Sequence, residues 1–294
     1  MFGSVLTAMV TPMDQDLKIN YQEAANLARY LVSHGSDGII VTGTTGEPPT
    51  LNTEERLRLI ATVREAVGSA GSVLANIGSY STAESVELAR EAVKLKVDGL
   101  MAVVPYYNKP PQEGLYRHFR AIAEAAPAPL IMYNIPGRTG INMLPETVRR
   151  LAEVPQIVGI KEAAGSMDQM SELKKNVPAE FAIYSGEDSL TLPMLALGGT
   201  GVIGVASHVV GKQVKEMIEA YRAGDPARAL RLHLLLYPVF RGIFVTTNPI
   251  PIKYILNKMG FQVGGCRLPL TEPSESDKKF LDDLTEQIQN IIAQ

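Results

Sequence analysis

Cysteine is almost absent: Cys266 is the single one among 294 residues. One thiol excludes an internal disulfide and any metal site built from several thiolates, so Cys266 reads as a passive small residue. The four histidines, His34, His118, His208 and His233, are scattered. None pairs with another at i, i+3 or i, i+4, so no two share a helical face and no structural zinc site is expected. No apolar run reaches the roughly 18 residues that a membrane-crossing helix needs. Basic clusters are also missing. With a formal charge of -3 there is no electrostatic footprint for nucleic acid and no polybasic patch for a membrane surface. The N-terminal stretch from Met1 to Thr7 lacks a basic region followed by an apolar stretch and a small-residue cleavage site. The expectation is an unprocessed, cytoplasmic protein whose partners are small molecules.

What the chain does have is alternation. At 294 residues, 46% of them apolar, it can bury a sizeable core as one large α/β barrel or as two modest domains. Apolar runs recur at 5–9, 38–41, 73–76, 100–104, 130–133, 157–161, 181–184 and 202–206, eight strand candidates in all. Segments with helical periodicity lie between them, at 23–32, 54–67, 83–95, 113–126 and 190–197. Asn52 or Thr53, Ser81 or Thr82, and Pro145 supply start signals. Eight strand and helix alternations predict a (β/α)8 TIM barrel with parallel strands, since a helix carries the chain back each time. An open doubly wound sheet is the rival order, but it does not require eight repeats. After the eighth strand the pattern becomes helical, at 212–223, 226–237, 250–259 and 278–293, with breaks at Gly224-Asp225-Pro226 and Gly264-Gly265. The expected division is therefore residues 1–224 for the barrel carrying the active site and 225–294 for a C-terminal helical region.

In a barrel of this kind catalytic groups collect where strands end. The sixth strand candidate ends at Lys161. Desolvation at the mouth of a buried strand disfavours the ammonium and frees a neutral amine, the nucleophile for a Schiff base with a carbonyl substrate. The alternative is a lysine that merely reaches solvent beyond the strand. The fifth strand runs into Tyr133-Asn134-Ile135-Pro136-Gly137-Arg138-Thr139-Gly140, the fourth into Pro105-Tyr106-Tyr107-Asn108, and the seventh into Ser185-Gly186-Glu187-Asp188. The second runs into Thr42-Gly43-Thr44-Thr45-Gly46-Glu47, where glycines allow tight turns and backbone N–H groups can converge on an anion. Imine formation needs a proton shuttle beside the condensing nitrogen, and Tyr133 is the best-placed candidate, with Thr44 as a relay. Arg138 suits a carboxylate, which it can grip by paired hydrogen bonds.

One motif misleads. Gly199-Thr200-Gly201-Val202-Ile203-Gly204 has the spacing of a dinucleotide-binding fingerprint, yet it follows a predicted helix and enters a predicted strand. Pyrophosphate binding needs the reverse order, so NAD is discounted. Its glycines read as close-packing positions, with the Ile203 backbone near the substrate.

The segments at 42–47, Pro105-Tyr106-Tyr107-Asn108-Lys109-Pro110, 133–140 and Gly159-Ile160-Lys161-Glu162 together resemble the 4-hydroxy-tetrahydrodipicolinate (dihydrodipicolinate) synthase family, within the class I pyruvate aldolases. The likeness covers essentially the whole chain. It implies condensation of pyruvate with L-aspartate 4-semialdehyde, on the diaminopimelate route to lysine, without metal or organic cofactor. Carried over, it implies Lys161 as the imine-forming residue, Tyr133 as proton donor and acceptor, and Thr44 and Tyr107 as the rest of the relay, Tyr107 serving a neighbouring subunit. Thr45 and Ile203 would hold pyruvate, Arg138 would receive the carboxylate of the semialdehyde, and Gly186 is a further substrate-binding position. A homotetramer built as a dimer of dimers is implied as well. N-acetylneuraminate and 2-keto-3-deoxy sugar acid lyases share the lysine and tyrosine, but the sialic acid lyases typically carry Ser-Thr where this chain has Thr44-Thr45 and lack the arginine. A non-catalytic pyruvate-binding barrel is the other alternative. Many family members are inhibited by lysine through a polar, often histidine-containing set. The matching neighbourhood here is Pro48, Pro49, Thr53, Arg56, Tyr80, Glu84 and Tyr106, and Arg56 would repel an ammonium. Weak or absent feedback inhibition is expected.

Overall fold

Eight apolar runs become eight strands, each almost wholly buried, which is why they read as continuous apolar segments rather than alternating ones. The computed structural model describes residues 2–293. In chain order the elements are β1 (Val5–Ala8), α1 (Tyr21–Ser33), β2 (Gly38–Val41), α2 (Thr53–Val67), β3 (Ser72–Asn76), α3 (Thr82–Lys94), β4 (Gly99–Val103) and α4 (Gln112–Ala125). Then come β5 (Leu130–Asn134), α5 (Pro136–Thr139), α6 (Pro145–Leu151), β6 (Ile157–Glu162), α7 (Met167–Asn176), β7 (Ala182–Ser185), α8 (Thr191–Ala196) and β8 (Gly201–Gly204). Four helices close the chain: α9 (Ser207–Arg222), α10 (Pro226–Gly242), α11 (Ile250–Lys258) and α12 (Glu275–Ile292). The strands form a closed parallel barrel in the order β1 to β8. This is the (β/α)8 barrel with a C-terminal helical extension that the alternation predicts. No helix among the described residues is long and apolar enough to cross a membrane.

Contacts gather into two compact units. In Val73–Ile203, strands pair in register, with Tyr133 opposite Lys161 and Asn134 opposite Glu162 on the next rung. Gly159 is required by the approach of β6 to β7, because a Cβ there would lie 2.6 Å from the Ala182 carbonyl oxygen. Gly199 is similar, its Cβ falling 2.8 Å from the Met194 carbonyl oxygen, so that part of the misleading glycine motif is a packing feature. Ser81 caps α3 by accepting from the Glu84 N–H, as its sequence signal suggests. The helix α7 has no clear apolar periodicity, since only Met170 and Leu173 are buried, and it starts on a Ser166 cap.

The second unit holds Phe2–Ser72 and the residues from Gly204 onward. Asn52 and Glu55 form a reciprocal capping box at the start of α2. The eighth strand stops two residues short of the predicted end because Ala206 already has helical dihedrals, and α9 begins at Ser207 rather than 212. His208 secures that early start: its Nδ1 binds the Val205 carbonyl oxygen and its Nε2 accepts from the Val10 N–H. The next helix, α10, runs on to Gly242 past Pro238, carried by buried Leu236, Val239 and Phe240.

Candidate active site

Two adjacent strands of the first unit each present a candidate side chain at their last inward position. Lys161 sits at the end of β6 and is only 5% exposed; its register partner Tyr133, on β5, is 3% exposed. The ammonium nitrogen lies 4.2 Å from the centre of the Tyr133 ring. Burial pushes the Lys161 amine down to about 7, against an opposing pull from Asp188 and with a smaller push in the same direction from Arg138. Near neutral pH roughly half of such an amine is uncharged, the form that attacks a carbonyl. The tyrosine ring stabilises the remaining cation through its π face.

Other rim positions of this unit follow from the same strand ends. Gly186 comes directly after β7, its N–H donating to the Glu162 carbonyl oxygen at 2.8 Å. A Cβ at Gly186 would meet the Ala163 Cβ at 2.6 Å, so a side chain is excluded there. Ile203 lies within β8 and is fully buried. Arg138 stands exposed on the short helix α5, which Thr139 stabilises through bonds to the carbonyl oxygens of Ile135 (3.0 Å) and Ile141 (2.9 Å). Tyr107 is different from all of these. It is 91% exposed on a loop where its own backbone is left-handed.

Asp188 is the group that the sequence places on the rim without a role. It is buried at the start of a short 3-10 turn after β7, close enough to act on Lys161 by charge. Glu162 and Asn134 were also without a role. Each follows an inward-facing residue on its strand, so each faces the other way, and the two side chains hydrogen-bond at 3.1 Å. A polar residue directly after each catalytic candidate on two neighbouring strands is the signal that points to them.

In the second unit the candidates Thr44 and Thr45 form a 3-10 turn after β2. The tight backbone there is made by Thr42 and Glu47, both left-handed at φ 56° and 58°, and not by glycines as expected from the sequence. Side chains explain the exchange. Thr42 Oγ1 donates to the Val41 carbonyl oxygen at 2.7 Å, and the buried Glu47 carboxylate is held by Lys253 Nζ (2.7 Å) and the Arg267 N–H (3.1 Å). Lys253 also donates to the Gly265 carbonyl oxygen at 2.5 Å. Asn248 Nδ2 donates to Thr45 Oγ1 at 2.9 Å, and Thr11 Oγ1 to the Gly46 carbonyl oxygen at 2.6 Å. The threonine turn is thus fixed from α11 and from the segment before it. Cys266 is part of this surround, and burial beside Glu47 pushes its thiol up to about 12, which makes it unreactive.

The model of the dihydrodipicolinate synthetase family matches residues 1–288. The chain belongs to that family. The 4-hydroxy-tetrahydrodipicolinate synthase of Desulforamulus reducens is 56% identical over 288 residues, covering 96% of this chain and 97% of the relative. The synthase of Thermosynechococcus vestitus is equally similar, at 56% over 288 residues, with the same coverage. Among solved structures, the dihydrodipicolinate synthase of Cyanidioschyzon merolae with lysine bound superposes with a TM-score of 0.96 at 46% identity, covering 98% of both chains. The enzyme of Methylacidiphilum fumariolicum SolV gives 0.97 at 40% identity, covering 100% of this chain and 98% of that one. The chain is an enzyme of the dihydrodipicolinate synthase type, and these relatives do not favour the sugar acid lyase alternative.

Proposed function

We propose that the protein condenses pyruvate with L-aspartate 4-semialdehyde to give 4-hydroxy-tetrahydrodipicolinate, with Lys161 as the covalent nucleophile. The observation that carries this reading is a buried lysine, lowered to about 7, over the ring of its register partner Tyr133. The neutral amine adds to the keto carbon of pyruvate, and Tyr133 supplies and accepts the protons of carbinolamine formation and dehydration, relayed by Thr44 and Tyr107. The resulting imine draws electrons from the neighbouring methyl group. Loss of a methyl proton gives an enamine, whose carbon attacks the aldehyde. The semialdehyde's own amine then displaces Lys161 at the imine carbon, closing the ring, so that the two substrates yield product and one water.

Thr45 and Ile203 hold pyruvate in this reading, Gly186 is a further substrate-binding position, and Arg138 grips the semialdehyde carboxylate. No metal or organic cofactor is required, because the imine itself is the electron sink. Residues 1–224 are read as the active-site barrel and 225–294 as a helical region. A cytoplasmic homotetramer, a dimer of dimers, is part of the proposal, supported by the exposure of Tyr107, which suits a residue that serves a partner's site. Feedback by lysine is expected to be weak or absent on account of Arg56, and micromolar inhibition in a lysine titration would count against that point.

Incubation with pyruvate and borohydride, with and without the semialdehyde, followed by peptide mass spectrometry tests the central claim. A reduced pyruvyl adduct on Lys161 that diminishes when the semialdehyde drives turnover is the expected result. Absence of any adduct would remove the Schiff-base reading.

A further inference from the structure

We infer that Asn248, from the C-terminal helical region, is a positioning residue for pyruvate: its side-chain amide donates to the Thr45 hydroxyl and so turns that hydroxyl's own proton toward the substrate carboxylate. The inference rests on the reading of Thr45 as a group that holds pyruvate. Asn248 acts through Thr45 and does not itself touch the reacting atoms.

Both residues belong to the second unit and both are buried, Thr45 at 2% and Asn248 at 6% exposure. Asn248 lies in the turn that enters α11, where the Ile250 N–H donates to the Thr247 carbonyl oxygen at 3.0 Å and the Lys253 N–H to that of Pro249 at 3.1 Å. From there its Nδ2 reaches Thr45 Oγ1 at 2.9 Å, across 203 residues of sequence. The backbone of the threonine turn is held by other means. Thr11 Oγ1 donates to the Gly46 carbonyl oxygen at 2.6 Å, the Gly46 N–H returns to the Gly43 carbonyl oxygen at 2.8 Å, and Lys253 holds the Glu47 carboxylate at 2.7 Å. Two side chains of one segment therefore divide the work: Lys253 fixes where the turn sits, and Asn248 meets the hydroxyl.

A threonine hydroxyl has one proton to give and two lone pairs that receive. With an amide N–H directed at Oγ1, the hydroxyl proton cannot lie on that line and must serve another acceptor. A carboxylate is acceptor-only, and an O–H bond given to it is shorter and about twice as strong as one between neutral groups. Donation into Oγ1 also polarises the O–H, which strengthens the bond that it gives. A hydroxyl oriented before the substrate arrives spares the cost of ordering it on binding. Without the amide the Thr45 hydroxyl rotates, and part of the binding energy goes into fixing it.

The test is steady-state kinetics on Asn248→Ala, Asn248→Asp, Thr45→Val and the Thr45→Val/Asn248→Ala double variant, with borohydride trapping across a pyruvate series as a separate readout. Asn248→Ala is expected to raise KM for pyruvate, and the pyruvate concentration that half-saturates trapping, about 5- to 20-fold, while the saturating trapping rate and KM for the semialdehyde stay within about 2-fold. Asn248→Asp keeps the shape of the side chain but as a carboxylate can only accept, so it draws the Thr45 proton to itself and is expected to raise pyruvate KM more than Asn248→Ala does. In the Thr45→Val background Asn248→Ala is expected to add almost nothing, because both act through one hydroxyl. Equal rises in both KM values, or independent effects in the double variant, would overturn the inference. So would an unchanged pyruvate KM in folded Asn248→Asp when Thr45→Val is impaired. A silent Thr45→Val would instead overturn the reading of Thr45, and the inference with it, while the Lys161 adduct would stand.

Discussion

The Lys161 ammonium nitrogen and the Tyr133 ring, 4.2 Å apart, belong to directly paired residues on neighbouring strands, so their geometry is set by the barrel ladder and not by a loop. A lysine at its ordinary value of 10.5 would be well under 1% neutral at pH 7. Here the value is about 7, and the rate of pyruvate trapping is expected to climb with pH up to about 7 and then level off. A borohydride trapping series from pH 5.5 to about 9 measures this. A rate still climbing tenfold per unit above pH 8 would contradict it.

The same burial has a cost for the fold. The Lys161 value is depressed in the folded protein, from 10.5 to about 7, so the unfolded chain binds the proton more tightly between those values. The penalty is absent well above pH 10.5, grows as pH falls, and is full below about pH 7, where it is about 5 kcal/mol. Lys161→Met is therefore expected to abolish adduct and turnover while raising the thermal midpoint at pH 7. That gain should shrink as the unfolding is repeated at pH 9 and 10.

Asp188 and Arg138 act on the lysine with opposite signs, Asp188 favouring the charged form and Arg138 the neutral one. Asp188→Asn is expected to move the midpoint of the trapping profile to lower pH, and Arg138→Ala to higher pH. Displacement of both in the same direction would show that the charges do not govern the amine.

On the other unit, Lys253 and Glu47 form an ion pair at 2.7 Å with both side chains almost wholly inaccessible. Lys253→Met leaves a buried carboxylate without its counter-charge and is expected to cost about 3–5 kcal/mol in denaturant unfolding. Adding Glu47→Gln should recover much of that loss. A Lys253→Met variant as stable as the parent would mean that Gly265 and Arg267 alone suffice to hold the turn.

Much of this arrangement is legible in the chain. The strands could be found because parallel strands buried on both faces leave uninterrupted apolar runs, and their ends locate Lys161, Tyr133, Arg138 and Gly186 without coordinates. Helix α7 was not legible, since two buried residues make too faint a stripe. Nor was the exchange of glycine for Thr42 and Glu47 at the left-handed positions, because it depends on Lys253 and Arg267, which lie 206 and 220 residues away from Glu47 in sequence. The hydrogen-bonded group of Asn134, Glu162, Asn142 and Gln169 is hidden for a related reason. Its members carry ordinary polar side chains that are brought together by the register of β5 on β6 and by the packing of α7 and the loop before α6.

Tyr107 is 91% exposed, and in the proposed relay the surface that covers it is the active site of a neighbouring subunit. Two defective chains can then repair one another. A Lys161→Met subunit keeps Tyr107, and a Tyr107→Phe subunit keeps Lys161, so a mixed pair contains one site with both groups intact. Random reassociation makes half of the pairs mixed, with one of two sites complete, and the recovered activity is expected to approach about a quarter of the parent's above that of the unmixed variants. Activity equal to the average of the two unmixed variants, with subunit exchange verified by native mass spectrometry, would place Tyr107 outside the partner's site.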